Sequence, residues 1–257
     1  MRPRPTHSSA CATTLAATAI ALFAWAGPAG ASATAQAIYD SALKTAGSQS
    51  VHFVSAASDQ GTSLKVVGDT GATSGSQSLV VSKGKMSEKL TITLVGATGY
   101  LNGNSTALEN IIGLTTAQGT KYSGKWLSFP TSNASLGQLV SGLHDQEVTT
   151  ELKLTGPLTF GRSKTINGQR ATAIKGTVGT SAATQVPAVL YVAASGTPHP
   201  LEEDTNPTAS TAKSTAKSTA QASIHGVVTF SNWGERTRET APAHATSLLS
   251  LAPPSAG

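Results

Sequence analysis

Thr106-Ala107-Leu108-Glu109-Asn110-Ile111-Ile112 and Leu136-Gly137-Gln138-Leu139-Val140-Ser141-Gly142-Leu143 are the stretches whose reading decides this fold. Thr106 and Glu109 stand at the spacing of a capping box, in which hydroxyl and carboxylate each satisfy a free backbone N–H. Leu108, Ile111 and Ile112 follow on one helical face. Leu136, Leu139, Val140 and Leu143 fall at i, i+3, i+4 and i+7, the stripe of an amphipathic helix. Gly113, Gly137 and Gly142 each cost about 1 kcal/mol against Ala in a helix interior, so these helices depend on packing. Lys125-Trp126-Leu127-Ser128-Phe129-Pro130 lies between them and is rich in aromatics. Two apolar helical faces must rest on something, and the flanking chain supplies it.

That flanking chain reads as strands. Val51–Val54, Leu64–Val67, Ser78–Val81 and Lys89–Val95 are short β-type runs broken by Gly-rich turns. The clearest alternates Leu90, Ile92 and Leu94 with Lys89, Thr91 and Thr93, giving one apolar and one polar face. Gly99-Tyr100-Leu101 reads as a last short strand with Asn102-Gly103 as its turn. Beyond the helical block, Pro157–Phe160, Arg170–Val178, Val186–Ala194, Pro200–Asp204 and Ile224–Phe230 return to strands. Asn167-Gly168 is a hairpin signal, because a type I′ turn needs positive φ at both central residues. Pro187 and Pro198 suit strand starts or edges. Ahead of the first strand, Thr34–Ala46 reads as a helix closed by Gly47. If the two meanders form one sheet, the central helices pack on one face of it. A strongly twisted sheet of about ten strands curls. The expectation is therefore α+β: a strongly curved antiparallel half-barrel sheet with helices on its concave face.

The ends of the chain carry a different signal. Of 257 residues, the first 33 run from basic Arg2 and Arg4 through an apolar segment to Ala31-Ser32-Ala33, the order of a secretory signal peptide. Its removal leaves 224 residues and lowers the formal net charge from +5 to +3. The expected organisation is a signal peptide over 1–33, one domain over 34–240 and a tail over 241–257. Thr208–Gln221, with Lys213-Ser-Thr-Ala-Lys217-Ser-Thr-Ala, reads as a low-complexity loop. Cys11 is the only cysteine and leaves with the signal, so no disulfide or thiolate-held metal is expected. Only 12% of residues are charged and no dense Lys/Arg patch occurs, which argues against nucleic acid as a partner.

Motifs for chemistry are missing. The chain has no G-x-S-x-G, G-x-G-x-x-G or H-E-x-x-H. Gly119–Lys125 spells G-x-x-x-x-G-K, but Trp126 stands where a phosphate loop needs a hydroxyl. His144-Asp145 reads as the polar end of the helix that Leu143 closes, where a His suits the macrodipole. Glu202-Glu203-Asp204 reads as a solvated strand end rather than a cation site. No enzyme activity, cofactor or metal is expected.

Several local patterns occur in a recognisable order. They are Val51-His52-Phe53-Val54, Val67-Gly68-Asp69, Gly99-Tyr100-Leu101-Asn102-Gly103, Gly124-Lys125-Trp126, Leu190-Tyr191-Val192 with Thr197-Pro198-His199-Pro200, and Phe230-Ser231-Asn232-Trp233-Gly234. Together they span nearly all of the mature chain, and in that order it resembles the actinobacterial LppX/LprAFG family of cell-envelope lipoproteins, related in fold to LolA-type carriers. The resemblance implies a half-barrel that holds acyl chains of a lipid or glycolipid between sheet and helices. The expected protein is exported, as the signal peptide indicates, and is a monomer that can make peripheral contact with the membrane. The family's lipobox cysteine has no counterpart at the cleavage site, which leaves a released protein or a start other than Met1. On this reading the cavity is lined by Leu90, Ile92, Leu94, Leu108, Ile111, Ile112, Trp126, Leu136, Leu139, Val140 and Leu143. Trp126 either borders the mouth or anchors the core, while Trp233 reads as a core anchor. The alternative is a structural or interaction module of the envelope whose core is filled.

Overall fold

The computed structural model describes residues 33–179, 185–205 and 225–251. Most of the signal segment, the loop 208–221 and residues 252–257 of the tail lie outside the described residues. The first helix, α1 (Ala35–Ala46), is capped by the Thr34 hydroxyl, which accepts from Ala37 N at 3.1 Å, and is closed by Gly47. Its buried stripe is Ala35, Tyr39, Ala42 and Ala46, so small side chains let the helix lie close against its neighbours.

Five antiparallel strands follow as a meander: β1 (Val51–Asp59), β2 (Thr62–Thr70), β3 (Ser74–Lys83), β4 (Met86–Val95) and β5 (Thr98–Gly103). The turn between β1 and β2 holds Gln60 and Gly61 at φ 44° and 80°, the geometry of a type I′ hairpin. The block then gives α2 (Ser105–Asn110), α3 (Thr116–Tyr122), β6 (Leu127–Pro130), α4 (Ala134–Ser141) and α5 (Asp145–Glu151). The second meander comprises β7 (Thr155–Phe160), β8 (Lys164–Ile166), β9 (Gln169–Val178), β10 (Val186–Ala193), β11 (Pro200–Thr205) and β12 (His225–Ser231). A two-residue β13 (Thr246–Ser247) and a 3-10 turn (Leu248–Leu251) end the described chain. Among the described residues, no helix is long and apolar enough to cross a membrane.

All strands join one unclosed, curled sheet in the order β13-β6-β5-β4-β3-β2-β1-β12-β11-β10-β9-β7, with β8 paired to β9. The two meanders meet at β1 and β12, in register from His52 opposite Ser231 to Ser58 opposite His225. The ladder is antiparallel except where β13 runs parallel to β6. Asn167 and Gly168 hold φ of 48° and 81° between β8 and β9, as the hairpin signal required.

Several local expectations are corrected. Thr106 does not cap α2; Asn104 does, with its side-chain oxygen accepting from Ala107 N at 3.0 Å. Asn104 is fixed there by β4, since the same oxygen accepts from Lys89 N and its amide donates to Ser87 O. The capping box of this block is Thr115–Gln118, on α3, a helix the periodicity did not single out. Ile111 and Ile112 stand just past α2, and Leu143 past α4. Asn102 and Gly103 belong to β5 rather than to a turn. His144 begins α5 instead of ending α4, so a cation there would oppose the dipole. Pro198 lies in the β10–β11 loop, while Pro187 is second in β10. Glu202–Asp204 is no solvated strand end: β11 lies inside the sheet, Glu203 is buried, Glu202 pairs with Lys164, and Asp204 pairs with His225. The stretch read as a tail contributes β13 and a buried Leu248.

Candidate functional site

Directly opposed residues in an antiparallel ladder share a face of the sheet. Leu190, Glu203, Val228, Ser55, Val66, Leu79, Leu90 and Gly103 are successive partners from β10 across to β5, so they form one row on one face. Leu190 packs in a cluster with Tyr39 and Ala42 of α1 and Val148 of α5. Leu90 packs in a second cluster with Leu108 of α2 and Val140 of α4. Both ends of the row therefore sit under helices, which places those helices on the same, concave face.

The middle of that face is different. Leu64, Val66 and Val81 are half-buried and belong to neither cluster. Val228 and Phe53 border them on the α1 side, and Leu79 on the α2 side. Around them stand Ser55, Ala57 and Gly226, too small to reach a helix above. The result is an apolar strip between two filled clusters. From Val228 on β12 to Leu79 on β3 it crosses three strand spacings, about 14 Å. Sequence reasoning passed over these residues, although Leu64 and Val66 alternate with Ser63 and Lys65 and so carried the signal.

Ten of the eleven expected lining residues meet in the second cluster. Leu90, Ile92, Leu94, Leu108, Val140 and Leu143 are at most 2% exposed, so almost none of their surface is open to a ligand. Ile111, Ile112, Leu136 and Leu139 are half-buried at its margin. Gln77 on β3 donates to Leu139 O at 3.3 Å and ties α4 to the sheet. Trp126 is half-buried beside β6, and its carbonyl accepts from Thr246 N at 3.0 Å; it joins neither cluster. Two recesses, of about 150 and 300 Å³, are bordered mainly by polar residues and by none of the eleven.

The titratable groups divide between the two faces. Tyr39 is buried; its hydroxyl accepts from Leu154 N at 2.8 Å and lies within hydrogen-bond reach of Leu152 O and Leu154 O. Burial pushes the phenol pKa up, the Leu154 hydrogen bond opposes this, and Glu203 and Asp40 add to the rise. His52 and Asp69 are opposed on β1 and β2 and meet at 2.9 Å, while His225 and Asp204 meet at 3.1 Å. By the same register rule both pairs lie on the convex face, away from the strip. Trp233 packs against the first cluster, stacks on His199 at 5.4 Å and donates to Pro200 O at 3.0 Å, the anchor expected of it. Burial lowers the His199 pKa. Among the described residues, no cluster of His, Cys, Asp and Glu has metal-ligand geometry.

No protein-family model and no curated protein matches the chain. Solved structures do. LprF from Mycobacterium bovis matches at a TM-score of 0.50 and 14% identity, over 81% of this chain and 97% of that one. The lipoprotein LppX from Mycobacterium tuberculosis gives 0.47 and 15%, over 79% and 97%. A LolA superfamily protein from Nitrosomonas europaea gives 0.25 and 12%, over 81% and 96%. The likeness to LprF shows the fold alone, a curled, unclosed sheet with helices packed on it.

Proposed function

We propose that this half-barrel is an exported, non-enzymatic carrier of the cell envelope that holds acyl chains of a lipid or glycolipid against its concave face. The observation that carries the reading is the strip of Leu64, Val66 and Val81, left half-open between two filled clusters. Each methylene moved there from water contributes about 0.8 kcal/mol, so a long chain binds without specific polar contacts. The half-buried Ile111, Ile112, Leu136 and Leu139 would form the side of the cleft nearer α2 and α4. Trp126 is retained as a rim residue of that site. The six deeply buried residues act as wall, reached only if the cluster opens. The resemblance to envelope lipoproteins supports the location, and LprF and LppX supply the structural precedent for the fold.

Val66→Asp tests the reading, since a half-buried position tolerates the charge while an acyl chain does not. Binding of a fluorescent fatty-acid probe should weaken at least about ten-fold with circular dichroism unchanged, the cost expected for a carboxylate against apolar surface. Native mass spectrometry of protein from its own host should show co-purifying lipid. An apo spectrum together with unchanged probe binding in Val66→Asp would refute the carrier.

A second reading, an interaction module of the envelope, rests on the filled second cluster. It predicts no probe uptake by the unaltered protein.

A further inference from the structure

The recess of about 300 Å³ lies at the end of the sheet away from the Gln60-Gly61 turn. It is bordered by Ser50, by Gly71–Ser74 between β2 and β3, by Asp145 at the start of α5, and by Arg236, Thr237 and Arg238. The last three belong to a strap that leaves β12 and is pinned along its course. Gly234 N donates to Ser50 O at 2.9 Å, and the Ser50 hydroxyl donates to Glu235 O. Thr237 and Ser74 exchange hydrogen bonds, each hydroxyl donating to the other's carbonyl at 3.0 and 3.1 Å. The Ser76 hydroxyl reaches Glu239 at 2.8 Å. A Cβ at Gly71 would stand 2.1 Å from the Thr237 hydroxyl, so the absence of a side chain there lets the strap lie this close.

With Thr237 locked against β3, Arg236 and Arg238 are carried at alternate positions of the strap, both exposed and both on the recess. Neither guanidinium has an ion pair or hydrogen bond among the described residues. The amides of Ala72 and Thr73 likewise have no acceptor among the described residues. Two fork-shaped cations and two free amides are donors matched to a phosphoryl group. Asp145 is the single acidic residue on the border, and its carboxylate already accepts from Gln146 N at 2.9 Å. A carboxylate repels phosphate but accepts from hydroxyls, so the ligand must present hydroxyl groups on that side.

We propose that this recess binds a phosphorylated polyol: Arg236 and Arg238 take the phosphoryl group, and Asp145 takes a neighbouring hydroxyl. The site is separate from the apolar strip and does not depend on the carrier reading. The polyol phosphate is either a free metabolite or a lipid headgroup, and the experiment separates them. Titration calorimetry at low salt with glucose 6-phosphate tests the free form, with inorganic phosphate as the control. Flotation with vesicles of phosphatidylcholine, with and without phosphatidylglycerol, tests the headgroup. Binding in either arm, weakened about ten-fold by each of Arg236→Ala and Arg238→Ala, is the result expected for charge-assisted hydrogen bonds. Both arginines are exposed, so these variants should fold. Asp145→Asn should weaken glucose 6-phosphate and strengthen inorganic phosphate, an opposition that a general loss of structure does not produce. Absence of binding in both arms overturns the proposal. So does inorganic phosphate binding as tightly as the ester, or binding indifferent to both arginines.

Discussion

Replacing Tyr39 by Phe removes one oxygen from the place where α1 is fastened to the chain after α5. Tyr39 is 5% exposed, and its hydroxyl is the acceptor for Leu154 N at 2.8 Å. Phe fills the same space but leaves Leu154 N with only its bond to Leu152 O at 3.0 Å, and the loss of one buried hydrogen bond costs about 0.5–1.5 kcal/mol. In a domain of this size each kcal/mol moves Tm by about 2–4 °C, so the variant should melt about 1–6 °C lower at neutral pH. The phenol adds a pH signature. Its pKa is raised above the ordinary 10.0, first by burial, so the unfolded chain ionises before the folded one. The stability contributed by the neutral phenol is thus complete below about pH 10 and is lost as pH rises through the higher folded value. The Tyr39→Phe variant has no such contribution to lose, so the gap between the two proteins should narrow above pH 10. Thermal melts followed by circular dichroism from about pH 7 to 11 measure both effects. Equal Tm at pH 7, or a gap that stays constant into alkali, would refute this account of the clamp.

His199 and Leu248 give two further tests. Burial lowers the His199 pKa below 6.5, so its contribution to stability is present above that pH and lost as pH falls through the folded value; His199→Gln should flatten this acid limb. Because His199 stacks on Trp233, the same transition should appear as a change in tryptophan fluorescence that the Gln variant lacks. Leu248→Ala should cost about 2–5 kcal/mol in urea unfolding, the range for a buried leucine, and a loss under about 1 kcal/mol would mean the segment is not part of the core.

What the sequence made legible was whatever depends on near neighbours. Leu90, Ile92 and Leu94 alternate with polar residues and are buried in β4; Thr34 and Gly47 bracket α1; Asn167-Gly168 turns a hairpin. Each is settled within a few residues. The features that went unread depend on distant partners. Thr106 and Asn104 are both competent caps, and the choice falls to Asn104 because β4 offers it Ser87 O and Lys89 N. The acidic triplet looks solvated until β11 is seen inside the sheet, where alternation sends Glu202 and Asp204 to Lys164 and His225 on one face and turns Glu203 to the other. Leu248 reads as tail because only the parallel pairing of β13 with β6 carries it into the second cluster. The lining residues were legible as a group but not in their separate roles, since burial of a stripe and its use as a cavity wall leave the same periodicity.

The gap between the clusters bears most directly on function. A chain selected only to fill its core gains about 25 cal/mol for each Å² of apolar surface taken from water, so leaving Leu64, Val66 and Val81 half-open forgoes stability. The arrangement that leaves them open is consistent across four strands. Ser55 and Ala57 on β1 and Gly226 on β12 keep the floor low, while Phe53, Val228 and Leu79 raise its two margins against the helices. Larger side chains at positions 55, 57 and 226 would close the strip with no change in topology. The small residues at the centre of the concave face, more than the large ones around it, therefore support a floor kept free for a ligand.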